Sequence, residues 1–275
     1  LLGERGALRR DERNRIGNTD PYVQASWRFA PAWVLDAGLR HSRVRFRSID
    51  HYITGRNGDD SGSQSYAATL PVLALGYQLN PRLRLHASAS RGFETPTLNE
   101  LAYRSNGEPG LNLFLQPSRS RNLEIGLKAR LGLSGELSAA LFQTRSRDEI
   151  VTASNAGGRA SFQNAGATRR QGLELALSAR PLDDLQARLA YTWLDARYLD
   201  AFQTCTVTPC TTTQTVEADR RMPGLARNQL SASLNWAPQQ GWQGGLSLRA
   251  LSPVMADDLN TSAAPGFGLL DAQLG

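Results

Sequence analysis

The side chains that could do chemistry in this sequence are few and far apart. Three histidines, His41, His51 and His86, stand at unrelated positions, without the short spacing that lets two imidazoles share a metal ion. No Gly-x-Ser-x-Gly elbow, phosphate-binding glycine loop or dinucleotide fingerprint occurs, so no nucleophile is proposed with its base and no cofactor with a cradle. The acidic pairs Asp59–Asp60 and Asp257–Asp258 lie among turn residues and read as solvated turns rather than calcium ligands. Asp148–Glu149 closes a strand and reads as a register or loop contact. Cys205 and Cys210 are spaced C-x4-C with no histidine beside them. Zinc wants four ligands, whereas a small loop-closing disulfide needs only an oxidising compartment. The disulfide is the preferred reading and puts this loop outside the cytoplasm. What remains is a binding or transport surface, not an enzyme, with no metal site and no resident cofactor.

Composition limits the partners. The formal charge is +6, the pI near 9.8, and Lys128 is the single lysine, so arginine carries nearly all of the positive charge. Nucleic-acid binders cluster such residues on one face with reading aromatics. Here arginine is spread along alternating strand positions and mixed with Asp and Glu, which excludes nucleic acid and points to a polar barrel interior plus surface loops. Phosphates of lipopolysaccharide are a further partner for outward arginines. No run of eighteen apolar residues exists, so no transmembrane helix is expected. A membrane-spanning strand hides its apolar residues at every second position and escapes that criterion.

The elements that must position these groups are strands. Leu83, Leu85, Ala87 and Ala89 alternate with Arg84, His86, Ser88 and Ser90; Leu123, Ile125 and Leu127 alternate with Asn122, Glu124, Gly126 and Lys128. A period of two puts one set on each face of a sheet. The pattern repeats over about eleven segments, each near the nine to eleven residues that cross a bilayer at a tilt. Beyond His41 the phase shifts, with Val44 and Phe46 alternating against Arg43, Arg45 and Arg47; this fits either a bulge or a strand running past the bilayer into water. Short turns fall near Pro31, Pro81, Gly132, Pro181 and Pro238, and long loops follow Arg47, Phe93, Ile150, Tyr198 and Met255. Sorting loops by end is the habit of outer-membrane barrels. Trp27, Trp33, Trp236 and Trp242 flank the short turns, where a headgroup-level girdle belongs; only Trp193 lies toward a long loop. The fold class is therefore all-β, an antiparallel transmembrane β-barrel. The inner wall is expected to carry Arg28, Arg40, Arg84, His86, Glu124, Lys128, Arg170, Glu174 and Arg188.

Three blocks carry a family resemblance. The first is Arg91-Gly92-Phe93, Pro96, Leu98 and Glu100-Leu101, followed by Leu115, Pro117, Ser118, Ser120, Asn122, Glu124, Gly126 and Lys128. The second runs from Phe162-Gln-Asn164-Ala165-Gly166 through Gly172-Leu173-Glu174, and the third is Met222-Pro223-Gly224-Leu225-Ala226-Arg227. In this order they resemble the barrels of TonB-dependent outer-membrane receptors of the ferric-siderophore type. The resemblance implies a barrel of roughly 22 strands, wide enough to need a plug. Eleven strands are about half of that, so residues 1–275 are read as one partial barrel domain, with the plug domain, its TonB-contacting segment and the final strand or strands missing.

By the same resemblance the intact receptor takes a ferric siderophore or similar metal chelate at its outer mouth, and the TonB complex drives it into the periplasm. Loop residues suited to an anionic or aromatic chelate are His51, Tyr52, Arg56, Tyr103, Arg104, Arg220 and Arg221. Two other readings compete. A passive porin-like channel conducts without TonB, and a secreted β-sandwich dissolves without detergent.

Overall fold

The alternating segments form strands that pair in order along the chain. The computed structural model describes residues 6–8, 10–55, 58–104, 110–132, 134–156, 159–205 and 212–275. Among them there is no helix. The strands of the first half are β1 (Glu12–Thr19), β2 (Tyr22–Ala30), β3 (Trp33–Asp50), β4 (Gly62–Asn80), β5 (Leu83–Glu94), β6 (Ser118–Leu131) and β7 (Gly135–Arg147). They are followed by β8 (Ile150–Ala156), β9 (Arg159–Asn164), β10 (Thr168–Leu182), β11 (Leu185–Tyr198), β12 (Phe202–Cys205) and β13 (Thr213–Val216). The last are β14 (Asn228–Trp236), β15 (Gly244–Leu251), β16 (Val254–Met255), β17 (Ala263–Ala264) and β18 (Phe267–Leu274). Twelve of these make one antiparallel sheet in the order β1-β3-β4-β5-β6-β7-β10-β11-β14-β15-β18, with β2 also on β3. The pairs β8–β9, β12–β13 and β16–β17 are separate hairpins standing on the long loops.

β1 and β2 are two halves of a single crossing. Thr19 faces Arg43 and Tyr22 faces Arg40, so the register against β3 continues unbroken past Asp20-Pro21. Proline has no N–H to give, and here it interrupts a strand at the edge of the sheet, where that loss is tolerated. Its carbonyl still accepts the His41 amide at 3.0 Å. Counted this way the sheet has the eleven crossings that the alternation implies.

Several strands are longer than the expected nine to eleven residues, β3 with 18 and β4 with 19, while β14, β15 and β18 have 9, 8 and 8. The β3–β4 register is continuous from Trp33–Tyr77 to Ser48–Gly62, so the phase shift beyond His41 is not a bulge. Val44 and Phe46 are apolar on the otherwise polar face because a loop packs onto them. Phe46 and Tyr66 are buried with Leu101 and Leu115 from the β5–β6 loop. A second cluster, Val151, Ala165, Ala196, Tyr198, Val216 and Met222, lies under the later long loops.

Between the loops and the short turns the sheet is one layer thick, and its two faces differ. Opposed residues share a face, so the register can be followed across strands. Leu75, Ala87, Ile125, Leu141, Leu173 and Trp193 form one row, and Leu85, Leu127, Ala139, Leu175, Tyr191 and Leu230 the next. Leu123 and Ile125 are each 57% exposed and Leu141 52%. An apolar face of this extent without a second layer is incompatible with water and suits hydrocarbon. At its short-turn end Trp27, Phe29, Trp33 and Tyr77 stack in sequence, with ring centroids 5.5, 6.2 and 4.4 Å apart.

One expectation about arginine needs correction. Arg91, Arg121, Arg145, Arg169 and Arg197 lie neither in the polar interior nor in loops. They stand directly opposite one another across β5, β6, β7, β10 and β11, on the apolar face at its long-loop end.

Candidate functional site

The polar face is built from the even-numbered positions of the same strands. It carries Arg28, Arg40, Arg84, His86, Glu124, Lys128, Arg170, Glu174 and Arg188 together, as the pairings Arg84–Lys128, Ser88–Glu124, Thr144–Arg170, Ala140–Glu174 and Ser178–Arg188 require. Charges there are matched locally. His86 Nε2 lies 3.0 Å from Glu124 Oε1, Arg40 bridges Asp20 at 3.0 Å, and Arg28 donates to the Pro31 carbonyl at 3.3 Å. Gly126 leaves room for the His86 ring; a Cβ would come within 2.5 Å of its Cε1. Near the short turns Arg84, Lys128, Arg130, Glu136 and Arg188 line a trough of about 1070 Å³ that spans β4 to β14, so this face is concave and charged.

At the opposite, long-loop end the polar face is bordered by chain, over a smaller hollow lined by Glu94, Ser118, Glu149 and Arg170. In the β5–β6 loop, the Thr97 amide donates to Glu100 Oε2 at 2.6 Å and the Glu100 amide to Thr97 Oγ1 at 3.3 Å, a reciprocal cap that folds the segment on itself. Pro96 and Leu101 are fully buried, and the Tyr66 hydroxyl donates to the Leu115 carbonyl at 2.8 Å. Asn112 Nδ2 donates to the Phe162 carbonyl at 3.0 Å. Asn164 accepts from the Gln116 amide at 2.8 Å and returns a bond to its carbonyl at 2.9 Å. Gln163 Nε2 then reaches the Gln203 carbonyl at 2.5 Å. The β5–β6 loop, the β8–β9 hairpin and the β12–β13 hairpin are thus stitched into one continuous border. The residues of the first two sequence blocks hold the border together, and those of the third dock it: the Met222 amide donates to Ala196 O, and Gly224 turns with φ +74.

The candidate ligand residues fall into two groups on this border. In the first, His51 is exposed and its amide donates to Asp11 O at 2.7 Å; the Tyr52 amide donates to Asp50 Oδ1 at 2.9 Å. Arg10 lies 5.9 Å over the Tyr103 ring, and Arg104 donates to the Leu111 carbonyl at 3.3 Å. Asp60 sits among them. Burial, then the nearby Asp50 charge, raises its pKa, and Arg104 opposes the rise. Arg56 lies outside the described residues. In the second group, Arg220 is exposed, while the Arg221 backbone exchanges two 2.8 Å bonds with the Asn260 amide side chain. Arg221 bridges to Arg197 and so continues the outward arginine row.

Sequence reasoning does not find Arg10 or Asp50 and reads Asp60 as part of a solvated turn; the three meet only through folding of separate loops. Two tethers hold the border: Glu149, expected to make a register or loop contact, grips Arg170 at 2.6 and 3.2 Å, and Asp258, expected in a solvated turn, is instead partly buried and accepts from the Tyr198 hydroxyl at 2.6 Å. Burial raises the Asp258 pKa. Asp257 accepts from the Thr261 and Ser262 amides at 3.0 and 2.8 Å, a turn-forming role. Cys205 ends β12 and is disulfide-bonded; Cys210 lies outside the described residues. Among the described residues the arrangement offers cationic, phenolic and carboxylate groups at a rim above a polar wall, with no nucleophile set against a base.

Proteins similar to this chain include receptors and transporters. The family described as TonB dependent receptor-like, beta-barrel matches residues 3–275. The ferrioxamine B receptor of Salmonella typhimurium strain SL1344 is 26% identical over 271 residues, covering 96% of this chain and 34% of that protein. The metal-pseudopaline receptor CntO of Pseudomonas aeruginosa strain UCBPP-PA14 is 24% identical over 263 residues, covering 94% and 34%. The chain therefore spans about a third of the length of these relatives. The siderophore receptor PiuA from Acinetobacter baumannii superimposes with a TM-score of 0.80 at 18% identity, over 96% of this chain and 37% of its own. Two exposed, unpaired sheet edges, β1–β2 and β18, agree with a wall that is part of a larger barrel. Sequence match, sheet order and loop sorting agree: this chain belongs to the TonB-dependent receptor β-barrel family.

Proposed function

We propose that the chain forms part of the barrel wall of a Gram-negative outer-membrane receptor for a ferric siderophore or similar metal chelate, delivered to the periplasm under the action of TonB. One observation carries this reading. The long loops gather at one end, are stitched into a border over the charged end of the polar wall, where Glu149 and Arg170 lie, and present Tyr103, Arg104 and Arg220 there. Chelates with anionic or aromatic donor groups are met by such side chains through charge-assisted bonds and cation–π contact. The relatives supply the class: one is a ferrioxamine B receptor, another a metal-pseudopaline receptor. The apolar face then meets lipid, and the short turns, with Trp27 and Trp33, lie at the periplasmic side.

The test uses the whole receptor and a panel of ferrioxamine B, ferric citrate and a ferric catecholate. Loss of one charge-assisted bond is worth about 1.5–3 kcal/mol, so Arg104→Ala and Arg220→Ala should each weaken the bound chelate about 10- to 150-fold. Affinity unchanged in both variants for every chelate that binds removes these residues from the site. Uptake that persists without TonB favours a passive channel instead.

A further inference from the structure

Arg91, Arg121, Arg145, Arg169 and Arg197 stand side by side on five adjacent strands. At strand spacing of about 4.8 Å the row is about 19 Å long. Like charges directly opposite one another destabilise a sheet, so the row needs anions. The protein supplies one at one end only. Asp195 accepts from Arg197 Nε at 2.9 and 3.1 Å and lies 3.9 Å from Arg169 Nη2. Arg169 Nε itself is buried and makes no hydrogen bond. Among the described residues, Arg91, Arg121 and Arg145 are exposed and make no side-chain hydrogen bond or ion pair.

Height fixes what can supply the missing charge. In β6 the row sits two residues above Leu123, and the apolar series below it ends at Leu131. Ten residues at about 3.3 Å, tilted by about 40°, give roughly 25 Å, the height of the apolar band of an outer-membrane barrel. The arginines therefore stand at the headgroup level of the leaflet on the long-loop side. Resting on the outer-membrane reading, we propose that the row is a binding site for the phosphates of lipopolysaccharide, with Arg91, Arg121 and Arg145 as its open half. Neighbouring guanidinium groups are close enough to share one phosphate, and arginine forks onto phosphate oxygens as lysine cannot.

The test places the whole receptor in phosphatidylcholine nanodiscs containing diphosphorylated lipid A, the same lipid stripped of phosphate, or the diphosphorylated lipid with excess free inorganic phosphate. Co-purifying lipid is counted by native mass spectrometry. Retention of the phosphorylated lipid should fall about tenfold in R121Q/R145Q and measurably in R121Q alone, for the loss of charge-assisted bonds, and stay at the wild-type level in R249Q, the single-charge control on the polar face. Melting of the variant in detergent should be no lower than wild type, since repulsion is removed. Equal retention in R121Q/R145Q, equal retention of stripped lipid, or full competition by inorganic phosphate overturns the proposal. Chelate binding on the same samples separates the two readings: its absence beside phosphate-dependent lipid retention overturns the transport reading and upholds the arginine row.

Discussion

An arginine placed at Leu175 tests the division of the sheet into a lipid face and a water face. Leu175 lies on the apolar face, opposed by Ala139 on β7 and Tyr191 on β10's other neighbour β11. It is six residues below Arg169 in the same strand, about 20 Å along the chain and roughly 15 Å in height after tilt, which sets it near the middle of a band of about 25 Å. An arginine at that depth costs about 2–4 kcal/mol, and close to the rim about 0–1. The expected losses are therefore about 2–4 kcal/mol for Leu175→Arg, a 30- to 1000-fold drop in the folding constant, and under about 1 kcal/mol for Leu131→Arg at the short-turn rim. Ala140→Arg is the matched control, because Ala140 is opposed by Glu174 on the polar face. It should change stability by less than about 0.5 kcal/mol, the usual range for a solvated site. The assay is reversible guanidinium unfolding of the whole receptor in phosphatidylcholine vesicles. Losses at Leu175 and Ala140 that agree within error, or a loss at Leu131 as large as that at Leu175, would refute the assignment of faces.

Two further outcomes follow from contacts on the border and wall. Tyr198→Phe removes the 2.6 Å bond that ties the end of β11 to the β15–β18 loop through Asp258. It should cost about 1.5–3 kcal/mol and speed proteolysis of residues 252–266, while Tyr198→Phe/Asp258→Leu should recover part of the loss because neither partner is left unsatisfied; no change in melting on Tyr198→Phe would show the bond to be idle. Gly172→Ala drives a methyl into the Trp193 carbonyl oxygen and to 2.7 Å from Phe142 Cζ. It should cost about 1–3 kcal/mol as overpacking, only partly relieved by Phe142→Leu since the carbonyl stays, whereas Gly17→Ala, with open space around it, should be neutral; equal melting temperatures for the two alanine variants would contradict the packing.

Much of the architecture was legible because a one-layer barrel wall leaves its faces written in parity. Leu83, Leu85, Ala87 and Ala89 could be assigned to one face before any strand was paired, and Arg84 and His86 to the other. Turn residues at Pro31, Pro81 and Gly132 marked one end of the wall. Strand length was not legible, because Val44, Phe46 and Tyr66 become buried only when the β5–β6 loop lies down on them. The site was less legible still. Asp60 gathers with Tyr103 and Arg104 through loops distant in sequence, and no local pattern foretells that meeting.

The arginine row differs, since its signal was present in the parity and pointed away from the barrel interior. Arg91 extends the odd-numbered series Leu83 to Ala89, and Arg121 precedes Leu123, Ile125 and Leu127 in the same phase. Arg145 follows Leu137, Ala139 and Leu141, two steps on past Gln143, and Arg197 follows Trp193 past Asp195. Each arginine belongs by phase to the face that lipid must cover, never to the lumen. Hydrocarbon cannot accept those charges, so each apolar series must end at or just before its arginine, at Gln143, Gln171 and Asp195 on three of the strands. The positions at which five strands change from apolar to polar and then arginine residues therefore mark the upper membrane boundary independently of the aromatic residues at the other end. What only the register could add is that these five boundaries coincide, turning isolated strand-end charges into one continuous cationic edge.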